Sequence, residues 1–178
     1  LIYSQILNKS KTNNYLKISV SEIFPSSKNS AQNTQLITGF KVSPSFSFDA
    51  KKIGLPQLNI SVRGGVAQNF HQYEIAKDGK SNFQRALSAG LNLNLAITDH
   101  LDLTLDHVVT KSFTYEHNAA DSYVFGQELG YNINKTFSTF LGHSLGANML
   151  STNKQEIDIA FYNRNTSSIY MGLNISAK

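Results

Sequence analysis

The chain has 178 residues, of which 40% are hydrophobic and only 16% are charged, with a net charge of +4 and no cysteine. This length suits one domain, the missing cysteine excludes disulfides and thiolate metal sites, and scattered basic residues give no run typical of nucleic-acid binding. No stretch approaches the roughly 20 apolar residues of a membrane-spanning helix. We therefore expect a single domain over residues 1–178, whose pattern is least clear in residues 1–34.

The first half of the chain predicts four strands. Residues 1–7 supply the first, and in the second the apolar residues Leu16, Ile18 and Val20 alternate with polar ones. Two longer strands follow, at Leu36 to Phe48 and at Leu58 to Phe70. Pro44 interrupts the third strand, which indicates a sheet edge, a bulge or a strand end, because proline cannot donate a ladder hydrogen bond.

From residue 84 onward, apolar and polar residues alternate with a period of two, as expected for strands with two different faces. The pattern predicts six strands in a simple meander, at residues 84–97, 101–110, 122–133, 137–149, 157–162 and 168–176. Turns or loops separate them at residues 98–100, 116–120, 134–135, 151–155 and 165–166. The whole chain then contains about ten strands, with eight as a minimum.

The composition of the two strand faces favours a membrane location. One face is apolar, as in Leu91, Leu93 and Leu95, whereas the other is mostly Ser, Thr, Asn and Gly. A soluble exterior usually carries many Lys and Glu residues, and small polar side chains fit a narrow, hydrated interior. The sequence therefore predicts an all-β, antiparallel transmembrane β-barrel of about 8–10 strands with meander topology. A soluble ligand-binding β-barrel with the faces reversed gives the same period and remains an alternative.

This alternation resembles the small outer-membrane β-barrel proteins of Gram-negative bacteria over residues 36–178. The last strand, residues 168–178, resembles the C-terminal assembly signal of that class, although it lacks the usual terminal aromatic residue. Seven aromatic residues lie toward strand ends, as in the aromatic girdles of such barrels, although the last of them falls in the polar phase: Tyr115, Tyr123, Phe125, Tyr131, Phe137, Phe161 and Tyr170. The resemblance implies a bacterial outer-membrane location, contact with outer-membrane lipid, and small polar solutes or envelope proteins as partners.

Loop lengths conflict with this topology. Outer-membrane barrels place short turns in the periplasm and longer loops outside. If the turns near Asp99, Asn134 and Asn165 are all periplasmic, Lys178 ends on the outer side. Either a strand is missing, one strand assignment is wrong, or the loop-length rule does not apply here.

The charged residues in the polar phase are the candidate functional residues. They are expected to face the lumen and comprise Arg63, Asp102, Asp106, Glu128, Asp158 and Arg164, with Lys17, Lys41 and Arg85 as further members. In a poorly solvated interior such groups need partners of opposite charge or water. They predict either a salt-bridged plug or a lining for the passage of small polar solutes.

Two patterns suggest catalysis, and neither is convincing. Residues 142–146 match the nucleophile elbow G-x-S-x-G, which needs a strand-to-helix turn and a later His, yet His143 is the last His in the chain. On a strand, His143 and Ser144 face apart. We interpret the match as chance and expect a non-enzymatic envelope scaffold or porin-like channel without metal or cofactor. A lipid-modifying hydrolase that combines His143 with a Ser of a neighbouring strand is the catalytic alternative.

Overall fold

A computed structural model describes residues 2–9, 14–50, 54–55, 57–134, 136–149 and 159–175. These residues form one antiparallel sheet of nine strands that lie in sequence order. The strands are β1 (Ile2–Lys9), β2 (Tyr15–Ile23), β3 (Leu36–Asp49), β4 (Leu58–His71), β5 (Phe83–Ala96), β6 (Leu101–Thr114), β7 (Ala119–Asn132), β8 (Phe137–Asn148) and β9 (Ser167–Ile175). A short π-helical turn, Asn29–Asn33, precedes β3. Among the described residues, no helix has the length and apolarity to cross a membrane.

The predicted antiparallel meander is confirmed, and so are the long strands β3 and β4. The sheet is open, because β1 and β9 are its two edge strands and do not pair with each other within the described part of the chain. Successive strands alternate in direction, so the first and the ninth run the same way. An antiparallel closure between β1 and β9 is therefore excluded by the strand number.

The two ends of the sheet differ in the length of their connections. We call one the loop end, where residues 24–35, 72–82 and 149–166 connect strands, together with the short connection 115–118. The other is the turn end, with the connections 10–14, 50–57, 97–100 and 133–136, of which the last two are tight. The three longest connections therefore lie at the loop end, as in membrane barrels, although the connection 50–57 at the turn end is longer than 115–118.

The strand predicted at residues 157–162 is wrong for its described part. Residues 157 and 158, like the predicted loop 151–155, lie outside the described residues, and residues 159–162 are not in a strand. The described residues between β8 and β9 form no further strand, and residues 164–166 form a turn before β9 at the loop end. With one strand fewer, β9 runs from the loop end to the turn end, which removes the conflict over loop lengths.

The sequence suggested that Pro44 marks a sheet edge, a bulge or a strand end, and this prediction is wrong. Pro44 lies inside β3, where it pairs with Ile18 of β2. Pairing of β3 with β4 stops at Ser43 and Pro44 and then resumes in the same register at Ser45 opposite Arg63. A Cβ added at Gly64 would be at an ordinary contact distance of 3.7 Å from the proline Cγ, so the proline does not require a glycine there.

Burial in the sheet is the reverse of that in a soluble domain. In β5, the apolar Leu87, Leu91 and Leu95 are exposed, whereas Ser88 and Asn92 of the other face are half-buried. Large hydrophobic side chains of the apolar phase are exposed in β2 to β5 and in β7 to β9, whereas those of β6 are half-buried. Val124 and Tyr170 of the polar phase are exposed as well. In the described chain, the fully buried large side chains are those of Tyr123 and Leu145. The sheet therefore has an exposed apolar face and a partly covered polar face.

Asn82 ties the connections at the loop end together. Its side chain is 4% exposed, and its Nδ2 donates to the carbonyl oxygens of Thr34 at 2.9 Å and Tyr73 at 3.0 Å. Its own carbonyl oxygen accepts from the backbone N–H of Tyr115 at 3.2 Å. Asn82 thus links three connections through its side chain and its backbone carbonyl, because buried polar groups must find hydrogen-bond partners.

Candidate functional site

The polar face of the sheet is the candidate site, and its continuity follows from the strand register. Along one row across the sheet, each residue pairs with the next on the adjacent strand. The row is Ser47, Ser61, Asn92, Asp106, Gly126, Ser144 and Ser168, from β3 to β9. Because side chains alternate along each strand, all polar-phase residues of these strands share this face.

The register places four of the six predicted lumen-facing charges on this polar face: Arg63, Asp102, Asp106 and Glu128. Asp158 lies outside the described residues. Arg164 is an exposed residue in the turn before β9 and does not belong to either face of a strand. Of the further members, Lys17 and Lys41 are also on the polar face.

Arg85 was predicted to lie on the polar face, but it lies on the apolar face. A register shift between Phe83 and Arg85 precedes regular pairing in β5, and Arg85 then pairs with Phe113 and shares a phase with Leu87. Its Nε donates to Oε1 of Gln68 at 3.1 Å. The period of two already gives this result, since Arg85 and Leu87 are two residues apart and therefore lie on the same face of the strand.

Arg63 and Asp106 form an ion pair that crosses a whole strand. Nη2 of Arg63 on β4 lies 2.6 Å from Oδ2 of Asp106 on β6, and the side chain passes over Gly90 of the intervening β5. A Cβ at Gly90 would lie 2.8 Å from Nε of Arg63, so only glycine leaves this passage open. Asn92 donates from Nδ2 to Oδ1 of Asp106 at 3.4 Å. The pair is partly exposed and contributes about 0–1 kcal/mol to stability, but it holds two charges at a defined place.

The charges that were predicted for the polar face and are found on it are separated by sign. The cations Lys17, Lys41 and Arg63 belong to β2, β3 and β4, whereas the anions Asp102, Asp106 and Glu128 belong to β6 and β7. The two groups meet at the Arg63–Asp106 pair. A face of this kind attracts solutes that carry charge or a large dipole.

Aromatic rings cover glycines on the polar face of β8 and β9. The ring of Tyr170 lies over Gly142, and that of Phe140 lies over Gly172, in each case on the directly paired strand. The two rings meet edge to face, with centroids 6.1 Å apart. Aromatic residues that cover cross-strand glycines restore packing that the glycines alone would lack. Tyr170 also donates from its hydroxyl to Oε2 of Glu128 at 3.4 Å.

The residues of the catalytic alternative do not assemble within the described chain. The segment 142–146 lies inside the regular strand β8 rather than at a strand-to-helix turn. His143 lies on the apolar face, with Gln127 and Ile169 as its cross-strand neighbours. Its Nδ1 is 3.3 Å from Nε2 of Gln127, and its buried Nε2 has no hydrogen-bond partner among these residues. No group of three potential metal ligands occurs in the described chain either.

Residues 159–162 form a strap across the apolar face of β7 and β8, which sequence reasoning missed. The hydroxyl of Tyr123 donates to the carbonyl oxygen of Ala160 at 3.1 Å and accepts from the N–H of Ala160 at 2.9 Å. The rings of Phe161 and Phe125 meet edge to face at 5.4 Å. The strap explains why Tyr123 and Leu145 are buried on a face that is otherwise exposed.

No family model matches this sequence, and a search of curated proteins finds no match. The function must therefore be inferred from the geometry of the two faces of the sheet.

Proposed function

We propose that this chain forms the wall of an outer-membrane β-barrel, with its apolar face against lipid and its polar face around a hydrated passage for small polar solutes. The observation that carries the proposal is the apolar face, whose large side chains are exposed in seven of the eight strands from β2 to β9, while many polar-face residues are half-buried. Monomeric soluble proteins rarely expose contiguous apolar patches of this extent. A lipid environment makes the same exposure favourable.

Strand lengths and topology support this proposal. The strands β3 to β7 have 14 residues each, which exceeds the 9–11 residues that a tilted strand needs to cross a bilayer. With the long connections outside, β9 runs toward the periplasmic side, as in outer-membrane barrels. Closure takes either a parallel β1–β9 pair or further strands, since a membrane sheet cannot leave its edges unpaired.

The charge pattern favours solute passage over a purely structural role. A barrel of about eight strands has an interior that side chains nearly fill, yet small residues and glycines occupy most polar-face positions here. The separated cations and anions would impose a transverse field on any solute between them. The soluble alternative requires a covered apolar face, and within the described chain the strap covers only part of β7 and β8.

Membrane insertion is tested by refolding the purified chain into detergent or vesicles. We expect that the chain needs detergent to stay in solution and that the folded form migrates differently from the heated form on a denaturing gel. A folded, monodisperse chain in detergent-free buffer would contradict the proposal.

Passage is tested by planar-bilayer conductance. We expect discrete steps, and we expect Asp106→Asn to shift the permeability ratio toward anions because Arg63 then lacks its counter-charge. The matched control is Asp121→Asn on the apolar face, which should leave the ratio unchanged. If the protein inserts into the bilayer but shows no conductance, the solute passage is excluded and the scaffold role is left.

A further inference from the structure

The apolar face carries two cations at the loop end, and the proposed membrane sheet does not account for them. Arg85 of β5 pairs with Phe113, and Lys111 of β6 pairs with Leu87, so the two cations are diagonal neighbours on adjacent strands. Diagonal neighbours of this kind lie about 7–8 Å apart. Both side chains are exposed. Two neighbouring cations on a lipid-facing surface are costly unless an anion accompanies them.

Two apolar grooves adjoin beneath these cations and share Leu87. The first has a volume of about 330 Å³, with Val66 and Phe113 in its wall and Arg85 and His117 at its rim. The second has a volume of about 280 Å³, with Ala89 and Val109 in its wall and both Lys111 and Asp121 at its rim. Each groove therefore combines an apolar floor with a cation at the loop end, and in the second groove the cation faces the carboxylate of Asp121.

The cations are available to a ligand. The ion pairs of the described chain are Arg63–Asp106 and Lys111–Asp121, so the guanidinium of Arg85 has no carboxylate partner there. The Lys111–Asp121 pair is loose, at 3.9 Å, and the two side chains are 52% and 29% exposed. Exposed pairs of this kind are weak, and a phosphate can compete with the carboxylate for the ammonium group.

We propose that Arg85 and Lys111 hold the phosphate of one phosphorylated lipid of the outer leaflet, whose acyl chains lie in the two grooves on either side of Leu87. This inference rests on the proposed membrane function. The loop end then lies at the outer headgroup level, where a phosphate meets both cations. Arginine favours phosphate because its planar donors match the phosphate oxygens. Apolar floors beside a cationic rim fit an amphiphile better than a free anion.

The test measures lipid retention by native mass spectrometry of the folded chain in neutral detergent, with lipid A as the phosphorylated probe. We expect one retained lipid A per wild-type chain and roughly 30-fold weaker retention by the double variant R85Q/K111Q, since each basic side chain near an anionic lipid contributes a factor of about five. The matched control is K28Q/K80Q, which removes two exposed lysines of the loop end away from the grooves. It should retain lipid A as the wild type does.

Further arms identify the source of the phosphate and separate the two proposals. Phosphatidylcholine should not be retained, and millimolar inorganic phosphate should not displace lipid A; displacement by phosphate alone would overturn the lipid assignment. Equal retention by wild type and R85Q/K111Q would overturn the site. Heat-modifiable migration of the same samples reports the membrane fold independently. If that migration is present without lipid retention, the lipid site alone fails, whereas its absence removes the proposed function as well.

Discussion

The two faces of the sheet have the same backbone but opposite relations to their surroundings. Leu91 and Asn92 are adjacent in β5, yet the apolar side chain is exposed and the polar one is half-buried and bonded to Asp106. In a soluble sandwich these environments would be exchanged. Both kinds of sheet show the same alternation, so a membrane sheet differs from a soluble one in what surrounds each face. The three substitutions below test that difference, beginning with the largest expected effect.

Replacement of Leu91 by arginine tests whether the apolar face meets lipid. Leu91 lies near the middle of β5, opposite Val62 and His107, and we expect Leu91→Arg to destabilise the folded protein in vesicles by about 2–4 kcal/mol. Urea unfolding in lipid vesicles measures this loss.

The matched control for Leu91→Arg is Asn92→Arg on the other face. The new guanidinium would lie beside Asp106, which already accepts from Asn92, so we expect little change in the free energy of unfolding. Equal costs for both variants would mean that the two faces do not differ in environment.

Gly142→Ala tests the packing of the polar face. The added methyl group would meet the ring of Tyr170, and overpacking of this kind costs about 1–3 kcal/mol. The temperature at which the folded band disappears from a gel should fall. Gly146→Ala is the control on the same strand and face, because its added Cβ would lie an ordinary 3.8 Å from Val124. Similar behaviour of the two alanine variants would refute the ring-over-glycine arrangement.

Tyr123→Phe tests the strap, the place where the apolar face is covered by protein. The substitution keeps the ring and removes the hydroxyl that bonds both backbone groups of Ala160, at a cost of about 1 kcal/mol. Hydrogen exchange at the Ala160 amide should become faster. Tyr131→Phe, on the same face at the turn end, should leave that exchange unchanged. Unaltered exchange in Tyr123→Phe would show that the hydroxyl does not hold the strap.

The predictions that succeeded depend on local periodicity. The boundaries of β3 and β4 and the phase of Arg63, Asp102, Asp106 and Glu128 follow from a period of two, which each strand displays by itself. The strand prediction is wrong for residues 159–162, because Phe161 packs on Phe125 of β7 and these residues do not pair with β8. In the sequence, a short run of alternating residues has the same appearance whether it pairs as a strand or packs on one.

The sequence by itself determined the antiparallel meander, the two chemically distinct faces and the residues on each, because side-chain alternation is a property of every strand alone. Only the tertiary structure decided which residues meet across strands. The Arg63–Asp106 pair over Gly90 and the rings over Gly142 and Gly172 depend on register. Register is set by pairing between strands and by shifts at their ends, so it cannot be read from one strand.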